Sequence, residues 1–263
     1  MKLHVLSDLH MRPEHGLSLP HTKANIIILA GDISRGLQGV QWAIQESERL
    51  NKPVLYVFGN HEFYQHTFPN LIDQARQLCQ HTQVHVLENN TFIYGNTRFL
   101  GCTLWTDFML QGSTNQAAAI EQTEQFVYDY QIVEHASGRT LCAKDTIAWH
   151  HASRRWLETE LAKPWPGHTV VITHHAPSKV AAHPHFDNLL SASFASHLDA
   201  LISQHDIATW VCGHSHANVD TYLGHTHLYS NQKGYRGEQV PGPAFSLDKT
   251  ISVGGRPRPL RLH

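Results

Sequence analysis

VLYVFGNHEFYQ, residues 54 to 65, decides how this chain is read. Val54 to Phe58 is an uninterrupted run of β-branched, aliphatic and aromatic residues, the pattern of a strand covered on both faces. Gly59 stops it, and Asn60, His61 and Glu62 follow at once. An amide, an imidazole and a carboxylate are costly to bury without partners. A core strand that ends on all three therefore leads to a place where they find partners in common. In open α/β sheets that place is the crevice beyond the carboxyl ends of the strands.

The same ending recurs. KLHVLSDLH stops at Asp8 and His10, IIILAGD at Asp32, VVITHHAP at His174 and His175, and TWVCGHSH at His214 and His216. Strands that share a sheet would bring these endings together. Carboxylate, amide and imidazole donors without cysteine suit Mn, Fe, Zn or Co rather than a thiolate-bound ion. Two such ions about 3.5–4 Å apart form a clamp for in-line displacement at phosphorus.

Composition narrows the alternatives. The chain has 263 residues and a formal net charge of -2. That length suits one large α/β domain, taken here as 1–263. Without a basic excess, stable nucleic-acid binding is not expected. No apolar run approaches the roughly 20 residues of a membrane span, and MKLHVLSDLH turns polar too soon for a signal peptide. Cys79, Cys102, Cys142 and Cys212 are scattered, with no C-x-x-C pair, which fits a reduced, cytoplasmic setting.

The 23 histidines make spacing a poor guide. His-x-His occurs at 183/185, 214/216 and 225/227, and context must choose among them. His214 and His216 follow a buried strand. His225 and His227 lie in a polar hairpin and read as sheet-face residues, and His183 and His185 flank Pro184 in a loop. Trp105 reads as a core aromatic with Asp107 as a helix cap, and Tyr128 and Tyr130 as packing residues. The loop carrying Lys233, Tyr235 and Arg236 reads as a solvated turn.

Periodicity predicts strands at 2–7, 25–30, 53–58, 84–87, 168–173, 207–212 and near 250–253. It predicts hairpins over 92–101 and 219–229, and helices over 37–50, 67–80, 114–130, 145–162 and 193–204. From 241 onward the tail reads as mostly irregular. Early βα alternation and late hairpins imply two packed mixed sheets flanked by helices.

The ordered set D-x-H, G-D, G-N-H-E, a histidine after an apolar strand, and G-H-x-H resembles the calcineurin-like metallophosphoesterase superfamily, in the form of its small bacterial-type members. The resemblance implies a four-layer αββα sandwich and two divalent ions, manganese favoured. One ion would be held by Asp8, His10, Asp32 and His216, and the other by Asp32, Asn60, His174 and His214, with Asp32 bridging. A hydroxide between the metals would attack phosphorus. His61 would hydrogen-bond the phosphoryl oxygen or act as general acid, and Glu62 would orient a neighbour. His175 would reach a non-bridging oxygen.

One motif departs from the pattern. Many relatives, phosphoprotein phosphatases included, read G-D-x-x-D-R where this chain reads GDISRG. Arg35 stands in place of the Asp that partners the catalytic histidine, and Gly36 in place of the Arg that binds a monoester dianion. Losing that cationic fork tilts the expectation toward a phosphodiester or related small phosphate ester, nucleotide types included, with Arg35 as a substitute contact. The competing functions are a phosphomonoesterase, a nuclease of the same superfamily, and a catalytically idle scaffold that binds a protein. A full ligand set and His61 argue against the scaffold, and the absence of basic patches against the nuclease.

Overall fold

The structure is a computed structural model that describes residues 1–12, 16–185 and 187–254. In chain order, β1 (Lys2–Leu6), β2 (Ile26–Ala30), helix α1 (Gln38–Leu50) and β3 (Val54–Val57) come first. A short β4 (Thr67–Phe68) and helix α2 (Asn70–Leu78) precede β5 (Val84–Val86) and the hairpin of β6 (Asn90–Tyr94) and β7 (Thr97–Cys102). Helices α3 (Gln116–Phe126) and α4 (Asp129–Ile132), β8 (Glu134–His135) and helix α5 (Ala143–Ala162) follow. The chain closes with β9 (His168–Thr173), helix α6 (Asp199–Gln204), β10 (Thr209–Val211), the hairpin of β11 (Asp220–Leu223) and β12 (Thr226–Tyr229), and β13 (Thr250–Ser252).

Two mixed sheets result. The first has the order β13-β1-β2-β3-β5, parallel except for the β1–β13 pair. The second has the order β11-β12-β10-β9-β7-β6, parallel at its centre with an antiparallel hairpin at each edge. Alternation along the strands divides the core. Leu3, Val5, Ile26, Ile28, Leu55 and Val57 of one sheet pack with Phe99, Val170, Ile172 and Val211 of the other. Residues one place along, such as Leu6, Ile27, Leu29, Val171 and Trp210, join the core that Val40, Ala43 and Leu157 of the helices help build. Both faces of the central strands are covered, which is why they read as unbroken apolar runs. The expected sandwich of two mixed sheets flanked by helices is borne out.

Three predicted helices are shorter than expected. The 67–80 segment begins its helix only at Asn70, because Thr67 and Phe68 pair with Glu134 and His135 in a two-stranded ladder. The 114–130 segment breaks at Val127, which is extended (φ -90°, ψ 124°) and packs into the helix-side core. Of the 193–204 helix only Asp199–Gln204 is helical. Upstream, Ala195 pairs with Ala176 and the Ser196 amide donates to the Ala176 carbonyl at 2.9 Å, so tertiary pairing replaces helix there. The irregular tail is followed as far as Gly254, and its remainder, 255–263, lies outside the described residues. No helix among the described residues is long and apolar enough to cross a membrane.

Candidate metal centre

The carboxyl ends of β1, β2, β3, β9 and β10 converge where the two sheets meet. Backbone bonds join them: Asp8 donates its amide to the Gly31 carbonyl at 3.0 Å, and Gly213 donates to the His174 carbonyl at 2.8 Å. The His214 amide donates to both Asp8 carboxylate oxygens, at 3.1 and 3.2 Å. Such approach demands glycine. A Cβ on Gly31 would stand 2.3 Å from His174 Nδ1, and one on Gly59 would stand 2.1 Å from Asp32 Oδ1. The turns also force Asp8, His10, Asp32, His214 and His216 to positive φ, between 44° and 67°. Non-glycine residues rarely adopt that conformation, and where they do the surroundings must hold them there.

Ligand-type atoms of Asp8, His10 and His216 lie within 4.8 Å of one another, as do those of Asp32, His174 and His214, and those of His10, Asp32 and His61. Asp32 stands between the two sides, with Oδ1 3.4 Å from His174 Nε2 and Oδ2 3.9 Å from His10 Nε2. The donor set suits a divalent cation, and hydrogen-bond bookkeeping makes the point sharper. His174 Nδ1 donates to the Ala30 carbonyl at 2.9 Å, leaving Nε2 as an acceptor. Asn60 donates Nδ2 to Asp129 at 2.9 Å, so its Oδ1, also an acceptor, faces His174 Nε2 at 3.0 Å. On the other side, His216 Nδ1 meets Glu238 at 2.7 Å, and its Nε2 lies 2.9 Å from His10 Nε2 and 3.5 Å from Asp8 Oδ1. His174 Nε2 and Asn60 Oδ1, held acceptor against acceptor, call for a cation between them, and the outward bonds of His174 and His216 orient their Nε2 atoms inward as in metal-binding histidines.

Electrostatics agrees. Asp8, Asp32, Glu62 and Asp129 are all buried, and none has a Lys or Arg ion-pair partner among the described residues. Burial, then the charges of Glu62 and Asp8, raises the Asp32 carboxyl well above its ordinary range. Burial opposes ionisation of Asp8, yet the hydrogen bond with His216 and the surrounding histidines hold it below that range. Burial and the neighbouring histidine and lysine charges, against the pull of Asp8, bring His10 down to about 3, and burial also lowers His174 and His214. Neutral imidazoles at His10, His174 and His214 are in the form that binds a metal, whereas at His216 burial is outweighed by the Asp8 and Glu238 carboxylates, which raise it, and burial without a cation favours the protonated Asp32 carboxyl.

Glu62 ties two of these turns together. Its carboxylate accepts from the amides of Asp32 at 2.9 Å, Ile33 at 2.8 Å and Gly59 at 2.8 Å, and from the Tyr56 hydroxyl at 2.9 Å. Glu62→Ala leaves several buried donors without partners and is expected to cost about 3 kcal/mol or more. The denaturant midpoint checks this; a change of a few tenths of a kcal/mol would contradict it.

His61 follows β3 on a single 3₁₀ turn, with its amide on Asp32 Oδ1 at 2.9 Å. Its ring stacks on Tyr64 at 4.1 Å, and its Nε2 meets the Tyr235 hydroxyl at 3.1 Å. Burial first, then the charges of neighbouring histidines, brings its pKa down to about 2. Arg35 is exposed, its guanidinium 5.6 Å from the centre of the Tyr64 ring. His175 is buried, with Nδ1 on the Thr103 carbonyl at 3.1 Å and its ring 4.1 Å from that of His214. Trp105 packs behind it at 5.1 Å among Phe63, Phe68 and Trp149. Asp107 caps no helix; it accepts from the Met109 amide at 3.0 Å and faces His150 at 3.6 Å. His225 bonds the His205 carbonyl and His227 bonds Asp220, both outside the centre.

Sequence reading missed part of this site. The 231–239 loop is no solvated turn: Tyr235 lies over His10 and His216, at 4.4 and 4.6 Å between ring centroids. Glu238 holds that loop to His216. Glycines on both sides of Tyr235, at positive φ, were the available sign of a tightly folded loop. Asp129, which fixes the Asn60 amide and the Tyr64 hydroxyl, carried no local sign. Tyr128 is largely exposed, with one ring edge against Tyr64 at 5.8 Å, while Tyr130 is buried.

A two-sheet sandwich whose strand ends gather carboxylates and neutral imidazoles in this way defines a metal-dependent phosphoesterase. The chain belongs to the calcineurin-like phosphoesterase family, whose model matches residues 1–218. It is 25% identical over 234 residues to uncharacterized protein L509 of Acanthamoeba polyphaga mimivirus, covering 81% of this chain and 79% of that one. Its fold is similar to the crystal structure of phosphopantetheinyl hydrolase (PptH) from Mycobacterium tuberculosis, with a TM-score of 0.70, 19% identity and 89% of each chain covered.

Proposed function

We propose that this chain is a two-metal phosphodiesterase, folded as one domain, acting on a small phosphate ester in the cytoplasm. Asp8, His10, Asp32 and His216 hold one divalent ion, and Asp32, Asn60, His174 and His214 hold the other, with manganese favoured. The observation that carries this reading is the opposed acceptor pair His174 Nε2 and Asn60 Oδ1, 3.0 Å apart on one side of Asp32, with His10 Nε2 and His216 Nε2 2.9 Å apart on the other. When bound, the ions supply an activated water for attack on phosphorus and neutralise charge on the phosphoryl oxygens.

The chain's own groups supply the rest. Asp8 and Asp32 provide the negative charge that retains the ions, and Glu238 and the Ala30 carbonyl orient His216 and His174. His61, neutral in this setting, donates a hydrogen bond to the phosphoryl group or the departing oxygen, and the Tyr235 hydroxyl positions its ring. His61 is assigned outside the ligand set, its Nε2 meeting that hydroxyl at 3.1 Å. His175 supports His214 from behind, and Arg35 is the exposed cation at the mouth. A phosphopantetheinyl group, the substrate named for the Mycobacterium tuberculosis relative, is a phosphate-bearing organic group of the proposed class. Four free cysteines, three of them buried, fit a reducing compartment.

The diester preference follows from the missing fork at residues 35 and 36. With manganese supplied, kcat/KM for bis-p-nitrophenyl phosphate is expected to exceed that for p-nitrophenyl phosphate by about tenfold or more. A preference for the monoester would overturn the diester assignment.

A further inference from the structure

The cleft above His10 and His61 encloses about 1080 Å³. That is the upper end of small-molecule sites, roughly 300–1,000 Å³, and far more than one phosphoryl group fills. Its described lining includes Arg12, Arg35, Lys233 and Arg236 and no Asp or Glu. The chain as a whole has fewer Lys and Arg, 20, than Asp and Glu, 22, so four cations with no carboxylate among the cleft's described lining residues run against its composition. None of the four is in an ion pair among the described residues.

The cations are tied to the centre by short routes. Arg35 lies over Tyr64, whose other neighbour is the His61 ring. Lys233 donates its amide to the Ser7 carbonyl at 3.2 Å and Nζ to the Leu9 carbonyl at 3.1 Å. Arg236 adjoins Tyr235, whose hydroxyl reaches His61, and Arg12 is two residues beyond His10. A diester monoanion already facing two divalent ions has no charge left for four more cations. Guanidinium forks in a confined cleft match phosphate oxygens.

We infer that the substrate carries a second phosphate, apart from the scissile one, and that this cleft binds it through Arg12, Arg35, Lys233 and Arg236. The inference rests on the phosphodiesterase reading and narrows its substrate to small molecules with two phosphate groups. A cleft of bounded volume favours a small molecule over a nucleic-acid strand.

Two probes test it: the p-nitrophenyl ester of thymidylate with its second deoxyribose hydroxyl free, and the same ester with that hydroxyl phosphorylated. With manganese-loaded protein, the phosphorylated ester is expected to show about tenfold higher kcat/KM, mostly through KM. The advantage shrinks as salt rises, and it falls toward one in Arg12→Gln/Arg236→Gln, whose fold is checked by circular dichroism. Calorimetry on chelator-treated protein gives an independent readout, since adenosine monophosphate should bind the cleft without metal and lose that binding in the double variant. Equal kcat/KM for the two esters, or an advantage that survives the double variant, overturns the inference. So does affinity for oligothymidylates that keeps rising with their length. If neither ester is turned over while adenosine monophosphate still binds through the arginines, the phosphodiesterase reading falls and the anion site stands.

Discussion

Asp32→Asn is expected to lower turnover of bis-p-nitrophenyl phosphate by about 10³-fold or more, without recovery in excess manganese. Among the described residues, Asp32 is the carboxylate that shares one group of ligand-type atoms with His174 and His214 and another with His10 and His61, with His174 on Oδ1 and His10 facing Oδ2. An amide there offers one neutral oxygen and one N–H donor, so it cannot present anionic oxygen to both sides. The side chain is buried and also accepts the His61 amide, so the substitution disturbs that turn as well. His214→Ala removes a single ligand and should cost about 10²-fold, partly restored by higher metal concentration. His225→Ala is the control, because that ring is exposed and its contacts, the His205 carbonyl at 3.0 Å and the Asp206 carboxylate at 4.0 Å, lie outside the centre. Equal damage from Asp32→Asn and His225→Ala, or an Asp32→Asn enzyme within tenfold of the parent, would contradict the assignment.

The second large effect is expected at His61. Its Nε2 is 3.7 Å from Asp32 Oδ2, as close as that of His10 at 3.9 Å, so distance alone does not separate a ligand from a neighbour. In the proposed assignment the Tyr235 hydroxyl, 3.1 Å from His61 Nε2, marks His61 as the neighbour. His61→Ala is therefore expected to cut kcat by about 10²–10⁴-fold with KM little changed. Bound metal, measured by elemental analysis after gel filtration, should equal that of the parent. A variant that loses metal along with activity would move His61 into the ligand set and remove the proposed hydrogen-bond donor.

Why this much was legible in sequence, and no more, has a physical reason. The central strands are covered on both faces, so each appears as an apolar run, and each run ends where a ligand-type residue must begin. Asp8, Asp32, Asn60 and His214 are thus visible from local context, and the glycines beside three of them mark close backbone approach. Groups that act on these residues from elsewhere leave no such trace. Asp129 lies 69 positions from Asn60 in sequence and comes from a four-residue helix that follows the break at Val127. Tyr235 reaches His61 across 174 positions, from a loop with no periodicity. Helix ends were misjudged where pairing with a distant segment overrides propensity, at Thr67–Phe68 with β8 and at Ala195 with Ala176. His175 sits next to His174 in sequence, in the bend after β9, and its ring packs between His214 and Trp105.

The central claim is that carboxylates and imidazoles from distant strands hold two cations around Asp32. Crystals soaked in manganese and measured for anomalous scattering test it most directly. The expected result is two peaks per chain about 3.5–4 Å apart, flanking the Asp32 carboxylate, with Asn60 Oδ1 on one ion and His10 Nε2 on the other. A chain that binds no manganese at this place, or whose peaks lie at the surface histidines 225 and 227 instead, would contradict the account.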